Sequence, residues 1–533
     1  MNQLKLIAAV LASVFAVTAS AQSRKQQVEV SDAVQHDTLP SLRDVVPRPE
    51  DFTRMRPRVE HDLPIPYVPP DQIDGAIQTS VERSNFAQGL LAPTAISSVD
   101  GVGKGFSGPQ GAFTVQFAPP DTVGAVGATQ YVQVVNTGLA VFSKATKSVI
   151  YGPVPTSSLW AGFGGGCQTN NDGDATVVYD KAADRWVISQ FSVSTTPYLQ
   201  CVAVSQTSDA TGAYNRYAFS YGNTAFPDYP KTGVWPDGYY TTFNIFNGNS
   251  FGGAKLCAYD RAAMLSGAAA TQQCFQLSTS FGGVLPSDLD GSTAPPAGSP
   301  NYMVNFGANS LNLWKFHVDW ANTANTTLTG PTNLAVAAFT AACSGGTCIP
   351  QSGTSQKLDS LGDRLMFRLA YRNFGTSESL VVSHSVKTGT AKRDLHTGVR
   401  WYEVRSPGAT PTVHQQSSFS PDTNYRWMGS VAMDKLGDMA LGYSVSSSTM
   451  HPAIRYTGRL AGDALNTMQA EASIIEGGGS QTGSQLARWG DYSAMTIDPV
   501  DDCTFWYTNE YIQTNGAFNW STRIGSFKFA GCQ

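Results

Sequence analysis

The chain has 533 residues, of which only 14% are charged, and its formal net charge is -5. Lysine and arginine form no basic run, which argues against a nucleic-acid partner, because binding to phosphates needs clustered positive charge. The abundance of glycine (51 residues), phenylalanine (26) and tyrosine (21) indicates a turn-rich, all-β protein. Helical periodicity is confined to one short segment, residues 261–269.

Residues 1–21 have the pattern of a secretory signal peptide. Lys5 supplies the positive charge, residues 6–17 form an apolar stretch too short to span a bilayer, and Ala19-Ser20-Ala21 offers a cleavage site. No later apolar stretch reaches transmembrane length. We therefore expect a secreted or periplasmic protein with no membrane span; an uncleaved anchor is the alternative.

Residues 22–105 differ in composition from the rest of the chain. Prolines recur between Pro40 and Pro70, charges are frequent and aromatic residues are few. Such a segment buries too little apolar surface to offset its chain entropy, so we expect an extended or disordered arm. A propeptide, an arm lying along the domain and a plain linker are the three interpretations.

From residue 106 onward the sequence predicts repeated β units. Three pairs of aspartates four residues apart each lie between two short apolar runs, which is typical of a β-hairpin turn: Asp180 and Asp184, Asp434 and Asp438, Asp498 and Asp502. The unit that begins at Asp174 is the plainest, with predicted strands at residues 175–179, 185–191, 199–205 and 214–221. The six turn aspartates are predicted to be turn formers only.

Seven such units can be counted between residues 106 and 533. The first strand of each is predicted to start at one of seven places: Asp121, Asp174, Asp228, Asp288 or Asp290, Asp363, Arg426 and Asp491. Each interval holds room for four short strands, as a propeller blade requires. The last interval holds only three, and residues 112–117 are predicted to supply the fourth and close the ring. The sequence thus predicts a seven-bladed β-propeller closed by an N-terminal strand; six or eight blades are the alternatives, because the fourth interval is long and poorly patterned.

Eight cysteines, an even number, permit complete pairing in an exported protein. Cys343 and Cys348 bracket a turn, and no Cys-x-x-Cys pair indicates a zinc or redox site. Two further pairs join neighbouring predicted strands, and the last pair follows by elimination: Cys257–Cys274, Cys503–Cys532 and Cys167–Cys201.

Several motifs resemble those of a family of exported bacterial β-propeller proteins that has no established activity. They are Pro119-Pro120-Asp121-Thr122-Val123-Gly124-Ala125-Val126-Gly127, Asn171-Asp172-Gly173-Asp174, Asp184-Arg185-Trp186, Asp228-Tyr229-Pro230-Lys231 with Gly233-Val234-Trp235, and Arg488-Trp489-Gly490-Asp491-Tyr492-Ser493. The resemblance covers about residues 106–530; it implies a propeller fold and export, and brings no catalytic residues. The architecture also resembles sialidase-type propellers, but the Ser-x-Asp-x-Gly-x-x-Trp box is absent, which argues against sialidase activity.

In a propeller the first strands of all blades start on one face, around the central channel. We therefore expect a cluster of side chains at this channel mouth, namely Asp121, Asp174, Asp228, Asp363, Asp491, Lys231, Arg364, Arg426, Arg488, Tyr229, Trp427, Trp489 and Tyr492. Aromatic faces with carboxylates and guanidinium groups suit sugar rings. Asp228, Asp363, Asp491 and Arg488 are the catalytic candidates. The ligand-binding candidates are Lys231, Arg364, Arg426, Trp427, Trp489 and Tyr492.

The predicted function is binding of a polysaccharide or other glycan at this mouth, with cleavage by a glycoside hydrolase or polysaccharide lyase mechanism left open. The alternative is a non-catalytic extracellular adhesion or protein-interaction scaffold, in which the aspartates only cap turns.

Calcium is the one cofactor that the sequence suggests. Asn170-Asn171-Asp172-Gly173-Asp174 places oxygen ligands around a glycine, and Asp172 and Asp174 are the candidate ligands. The segment lacks the full twelve-residue loop and its terminal glutamate, so the alternative is an ordinary turn.

Overall fold

The computed structural model describes residues 27–47, 58–59, 63, 65, 71–78, 92–389, 395–483 and 486–533. The predicted signal peptide lies outside these residues. The described chain is nearly all β-strand, as predicted. Its helices are short: α1 (Gly165–Thr169), α2 (Arg261–Ser266) and four 3-10 turns, Leu42–Asp44, Thr156–Trp160, Thr323–Asn325 and Ala342–Gly345. None of the described helices is long and apolar enough to cross a membrane.

Helix α2 lies where the sequence predicts a helix. The Asp260 side chain accepts a hydrogen bond from the Ala263 N–H at its first turn, and Gly267 ends it in the left-handed conformation, with φ of 76°.

Eight short strands precede the main sheets, and five of them belong to the predicted arm. They are β1 (Glu29–Asp32), β2 (Gln35–Leu39), β3 (Arg58–Val59), β4 (Ile77–Gln78), β5 (Thr94–Asp100), β6 (Ser107–Gly108), β7 (Gly111–Ala112) and β8 (Phe117–Ala118). Strands β1, β2, β4 and β5 each pair with a strand of a main sheet.

The remaining strands form antiparallel sheets of consecutive strands. The first holds β9 (Val123–Val126), β10 (Gln130–Val135), β11 (Gly138–Ser143) and β12 (Val149–Pro155). The second holds β13 (Thr176–Asp180), β14 (Arg185–Ser192), β15 (Leu199–Ser205) and β16 (Tyr214–Ser220), with β2 added at its outer edge. The third holds β17 (Ala225–Trp235), β18 (Gly238–Asn247), β19 (Ser250–Tyr259) and β20 (Thr271–Gln276), with β1 at its outer edge.

A nine-stranded sheet follows, made of two antiparallel meanders. One is β21 (Leu285–Asp290), β22 (Asn301–Gly307), β23 (Ser310–His317) and β24 (Thr327–Ala335). After the hairpin of β25 (Thr347–Gln351) and β26 (Thr354–Asp359) comes the other, β27 (Met366–Asn373), β28 (Glu378–Thr388), β29 (His396–Arg405) and β30 (Thr412–Phe419), with β4 at its edge. The parallel pair β21–β27, in which Ser287 lies opposite Leu369, joins the two meanders.

Two four-stranded sheets complete the chain. The first is β31 (Tyr425–Met433), β32 (Met439–Ser447), β33 (Met450–Arg459) and β34 (Ala472–Ile475). The second is β35 (Ala494–Ile497), β36 (Phe505–Ile512) and β37 (Trp520–Lys528), and its fourth strand is β5.

The sheets pack face to face. Strands β10 and β36 are buried at every residue, which requires a neighbouring sheet on both faces. The Tyr456 and Phe527 rings, from two successive sheets, stack with centroids 3.8 Å apart. The first strand of each meander contacts the first strand of the next one, and β35 contacts β9.

Two predictions about strand positions are wrong. The strand expected at residues 112–117 does not complete the last sheet: Gly111–Ala112 pairs with β6, and Thr94–Asp100 pairs with β37 instead. The fourth unit starts at Leu285, so Asp288 and Asp290 lie at the end of its first strand and not at its start.

All four predicted disulfides are present: Cys167–Cys201, Cys257–Cys274, Cys343–Cys348 and Cys503–Cys532. Cys257 and Cys274 lie directly opposite each other on β19 and β20. Four disulfides fit a protein that folds in an oxidising compartment.

Candidate functional site

In five of the meanders, a residue with left-handed backbone conformation lies just before the first strand or near its start. It is Asp121 (φ 46°), Asp174 (φ 45°), Tyr229 (φ 57°), Gly283 (φ 58°) and Met428 (φ 54°). Aspartate tolerates this conformation better than most residues because its short side chain bonds to nearby backbone. The bend turns the following strand into the sheet and leaves the side chains around it pointing at the channel mouth.

The first two aspartates bind the backbone of neighbouring sheets. Asp121 accepts hydrogen bonds from the Asn136 side chain (2.6 Å) and from the Asp491 N–H (2.6 Å). Asn136 in turn accepts from the Asp174 N–H at 2.9 Å, and Asp174 accepts from the Tyr229 N–H at 3.2 Å. These carboxylates therefore join successive sheets, and do not cap only their own turns.

Lys231 fills the centre of the mouth. It is 1% exposed, and its ammonium lies against the Tyr229 ring and 3.8 Å from the centroid of the Tyr492 ring. Burial lowers the pKa of Lys231 well below its usual value, although the nearby Asp174 and Asp491 oppose that change. Aromatic faces stabilise a buried cation in this position.

Two arginine–aspartate pairs lie beside the lysine. Arg364 Nε donates to Asp363 Oδ1 at 2.7 Å, and its guanidinium lies 4.8 Å from the centroid of the Tyr229 ring. Arg488 Nη2 donates to Asp491 Oδ1 at 2.7 Å. All four charged side chains are buried, so each ion pair gains strength from the low dielectric around it.

Asp228 differs from these neighbours because the residue is only partly buried. It precedes a bulge in β17, where the register with β18 shifts between Asp228 and Lys231. Burial, and then the negative charge of Asp491, raise its pKa to about 7, against the opposing effect of Arg364 and Lys231. A carboxyl with this pKa can both donate and accept a proton near neutral pH.

Glu510 is a buried carboxyl that the sequence analysis missed. It lies on β36, is 1% exposed, and neither side-chain oxygen has a hydrogen-bond partner. Burial and the nearby Asp121 raise its pKa well above the usual value. No sequence signal marks it, because one glutamate in a strand of alternating residues looks like a solvent-facing position.

Three predicted site residues do not join the cluster. Arg426 pairs with Asp422 (2.7 Å) and Glu471 (3.0 Å), away from the channel. Trp427 and Trp489 are fully buried against each other, with ring centroids 5.6 Å apart. The tryptophans are core residues, so they offer no face to a ligand.

The candidate calcium ligands are used in other ways. Asp172 accepts hydrogen bonds from the N–H groups of Val193 (2.6 Å) and Ser194 (2.7 Å). Asp174 binds Tyr229, as above. Within the described ranges, no group of three or more His, Cys, Asp or Glu side chains is placed to hold a metal ion.

A second cluster of ion pairs lies at the C-terminal end of the strand β21. Arg368 bonds to Asp288 and Asp290, each at 2.7 Å, and Lys181 also bonds to Asp290. These groups and Phe367 line a small cavity. Asp288 and Asp290 therefore belong to this second cluster and not to the one around Lys231.

Several predicted turn aspartates also join separate sheets. Asp180 binds Arg261 (2.6 Å), Asp498 binds Lys144 (2.9 Å) and Asp502 binds Arg372 (2.7 Å). The expectation that they only form turns is wrong for these three. Asp434, by contrast, accepts from two backbone N–H groups of its own turn, as predicted.

No family model matches the chain, and no curated protein matches it. The family resemblance of the motifs therefore stays a prediction. Several solved structures match weakly over most of the chain.

The N-terminal domain of Nup159 is 8% identical over 85% of this chain and 100% of its own, with a TM-score of 0.33. The polysaccharide lyase Uly1 is 8% identical over 82% of this chain and 99% of its own, with a TM-score of 0.39. The α-L-arabinofuranosidase Arb93A from Fusarium graminearum is 8% identical over 82% and 99%, with a TM-score of 0.35. Likenesses this weak carry no conclusion about the activity of this chain.

Proposed function

We propose that residues 92–533 form a closed seven-bladed β-propeller, secreted after removal of residues 1–21. The support is the succession of four-stranded meanders, each touching the next through its first strand, with β35 against β9. In this arrangement β5 closes the ring by completing the last blade, which removes an exposed sheet edge. The four disulfides support export.

We propose that this propeller binds a carbohydrate at the channel mouth. The observation that carries the proposal is Asp228, a partly buried residue whose carboxyl has a pKa raised to about 7 by burial and by Asp491. Arg364, Lys231 and Arg488 surround it with cationic groups. Sugar hydroxyls need convergent donors and acceptors, and a carboxyl beside arginines supplies both.

If the site also cleaves its ligand, a hydrolase mechanism fits better than a lyase mechanism. Asp228 would be the general acid, because it holds a proton near neutral pH, and Asp491 the second carboxyl. A lyase that used tyrosine as its base would need a tyrosine hydroxyl that can give up its proton. The Tyr229 and Tyr492 hydroxyls both donate to backbone carbonyls, and burial raises their pKa values well above 10.

A non-catalytic scaffold is the second candidate. The observation that favours it is that Asp121, Asp174 and Lys231 are fully buried and bound to neighbouring sheets. In that case the network serves to hold the blades together, and a partner would bind elsewhere.

The test is a polysaccharide panel measured for binding and for release of reducing ends between pH 5 and 9. Asp228→Asn keeps the size of the side chain and removes its proton exchange, while Glu476→Gln, an exposed carboxyl outside the mouth, is the control. The carbohydrate proposal predicts a ligand that Asp228→Asn binds at least about tenfold more weakly, about 1.4 kcal/mol, and that Glu476→Gln binds like wild type. If the folded wild type binds no glycan, or Asp228→Asn binds as well as wild type, the scaffold candidate replaces it.

A further inference from the structure

A cavity of about 300 Å³ lies between the first and the last sheet. Strand β9 of the first sheet contacts β35 and β36 of the last one. The described residues that line the cavity include none of those around Lys231; those that matter here are Lys144, Lys147, Asp498, Trp506 and Ile96. Binding sites for small organic molecules begin at roughly this volume, about 300 Å³.

Ile96 forms an apolar part of the cavity wall, and it lies at a β-bulge. Ser526 lies opposite Ser97 and Phe527 opposite Ala95, so in the described register Ile96 has no partner on β37. The isoleucine is 51% exposed. Bulges recur beside functional sites because they redirect a side chain. The bulge therefore leaves a large apolar side chain at the cavity, where a ligand can cover it.

Lys147 brings a positive charge to the same cavity. Its ammonium lies 4.3 Å from the centroid of the Trp506 ring and donates to Lys144 O at 2.5 Å. Its backbone is left-handed, with φ of 63°, which is uncommon for a lysine. Among the described residues, the ion pair at this cavity is Lys144 with Asp498, at 2.9 Å, and no carboxylate pairs with Lys147.

The cavity therefore holds one positive charge more than it holds negative charges. Asp498 is engaged with Lys144, and its second oxygen accepts from Trp506 Nε1 at 3.4 Å. Burial, and then the charge of Lys144, lower the pKa of Lys147, and Asp498 does not offset them. A bound anion would supply the missing negative charge.

We propose that this cavity binds a small organic monoanion, a ring that carries one carboxylate, with the carboxylate at Lys147 and the ring against Ile96. One unpaired cation matches one negative charge, and an exposed isoleucine matches the apolar face of a ring. An acidic sugar and an aromatic carboxylate share this chemistry. The site is separate from the proposed carbohydrate site around Asp228 and does not depend on it.

The experiment measures binding of three probes to the full chain by titration calorimetry. Benzoate and glucuronate each carry a carboxylate on a ring, and glucose is the uncharged counterpart of glucuronate. Lys147→Gln removes the charge, and Lys147→Arg keeps it. Lys315→Gln is the matched control, because Lys315 is also partly buried and bonds to a carbonyl, Gly408 O at 2.8 Å, on the nine-stranded sheet.

We expect wild type to bind at least one of the two carboxylates and to bind glucose more weakly than glucuronate. Lys147→Gln should weaken carboxylate binding at least about tenfold, since a hydrogen bond to a charged group is lost. Lys147→Arg and Lys315→Gln should bind like wild type. The bound carboxylate should also slow acetylation of Lys147 by acetic anhydride, located by mass spectrometry, while acetylation of Lys315 stays unchanged.

The probes distinguish the two sources of the ligand: tighter binding of glucuronate assigns the site to an acidic sugar, and tighter binding of benzoate to an aromatic carboxylate. If wild type binds neither carboxylate, or a folded Lys147→Gln binds them as tightly as wild type does, the proposal is overturned. Equal binding of glucose and glucuronate in the absence of benzoate binding also overturns it, because charge would then play no part. None of these results bears on the polysaccharide panel, so the proposed function stands or fails by its own test.

Discussion

Replacing Asp228 with asparagine should stabilise the protein at alkaline pH and leave its stability near pH 4 almost unchanged. The carboxyl of Asp228 has its pKa raised from 3.8 to about 7, first by burial and then by Asp491. Each tenfold change in a dissociation constant corresponds to about 1.4 kcal/mol, so the ionised form costs the folded chain at most about 4 kcal/mol. Asparagine fills the same space and cannot ionise.

The sign follows from proton binding in the two states. Below about pH 4 the carboxyl is protonated in both the folded and the unfolded chain, so it does not affect stability. Between pH 4 and 7 the folded chain holds a proton that the unfolded chain has lost, and stability falls as the pH rises. Above pH 7 the Asp228 carboxyl is ionised in both the folded and the unfolded chain, and the wild type is destabilised by the full cost of burying that charge.

The assay is the free energy of unfolding of wild type and Asp228→Asn in denaturant, measured from pH 4 to 8.5. Asp422→Asn is the control with the opposite sign, because hydrogen bonds and charge from Arg426 outweigh burial and lower the pKa of Asp422 to about 2. That variant should lose stability relative to wild type above pH 4. An advantage of Asp228→Asn that is the same at pH 5 and pH 8.5 would refute the electrostatic account of the mouth.

Two further predictions concern the arm and the core. Asp74→Ala leaves Arg400 buried without its carboxylate partner and should cost about 3–5 kcal/mol of unfolding free energy. The control Glu476→Ala breaks an exposed ion pair and should cost less than about 1 kcal/mol. Equal effects of the two variants on thermal unfolding would contradict this. Burial, and then Arg400, lower the pKa of His384 well below 6.5, so the wild type loses stability as the pH falls through 6.5. As the pH falls from 7 to 5, the denaturation midpoint of His384→Phe should therefore rise relative to that of wild type. A difference between the two midpoints that does not change with pH would contradict this.

Strands were predicted well where the turn residues and the alternation of polar and apolar residues lie close together in the sequence. The four strands predicted from residue 175 onward match β13–β16 to within one residue. The prediction of the strand that completes the last sheet was wrong because this pairing joins distant parts of the chain. Residues 112–117 alternate and residues 94–100 do not, yet residues 94–100 pair with β37, a contact more than 400 residues away in the chain.

The two Arg-Trp dipeptides show why site residues are harder to predict than strands. Arg426 lies inside β31 and points to Asp422, whereas Arg488 lies in the loop before β35 and reaches Asp491 in the mouth. Identical sequence therefore gives different roles, because the strand begins at a different place relative to the dipeptide.

The balance of charge in the mouth bears on the choice between an active site and a structural network. Carboxyl groups outnumber cations there: the acids are Asp121, Asp174, Asp228, Asp359, Asp363, Asp491 and Glu510, and the cations are Lys231, Arg364 and Arg488. Buried carboxylates without a matching cation repel one another, so some of them must hold protons at neutral pH. Burial raises the pKa values of three of them, Asp228, Glu510 and Asp359, the last of which lies 3.6 Å from Arg488. A network that only joins blades gains nothing from an acid with no partner, and apolar residues of the same size would serve it as well. Of these three, Asp228 is the residue that is only partly buried, so it is the carboxyl that the proposed carbohydrate site depends on.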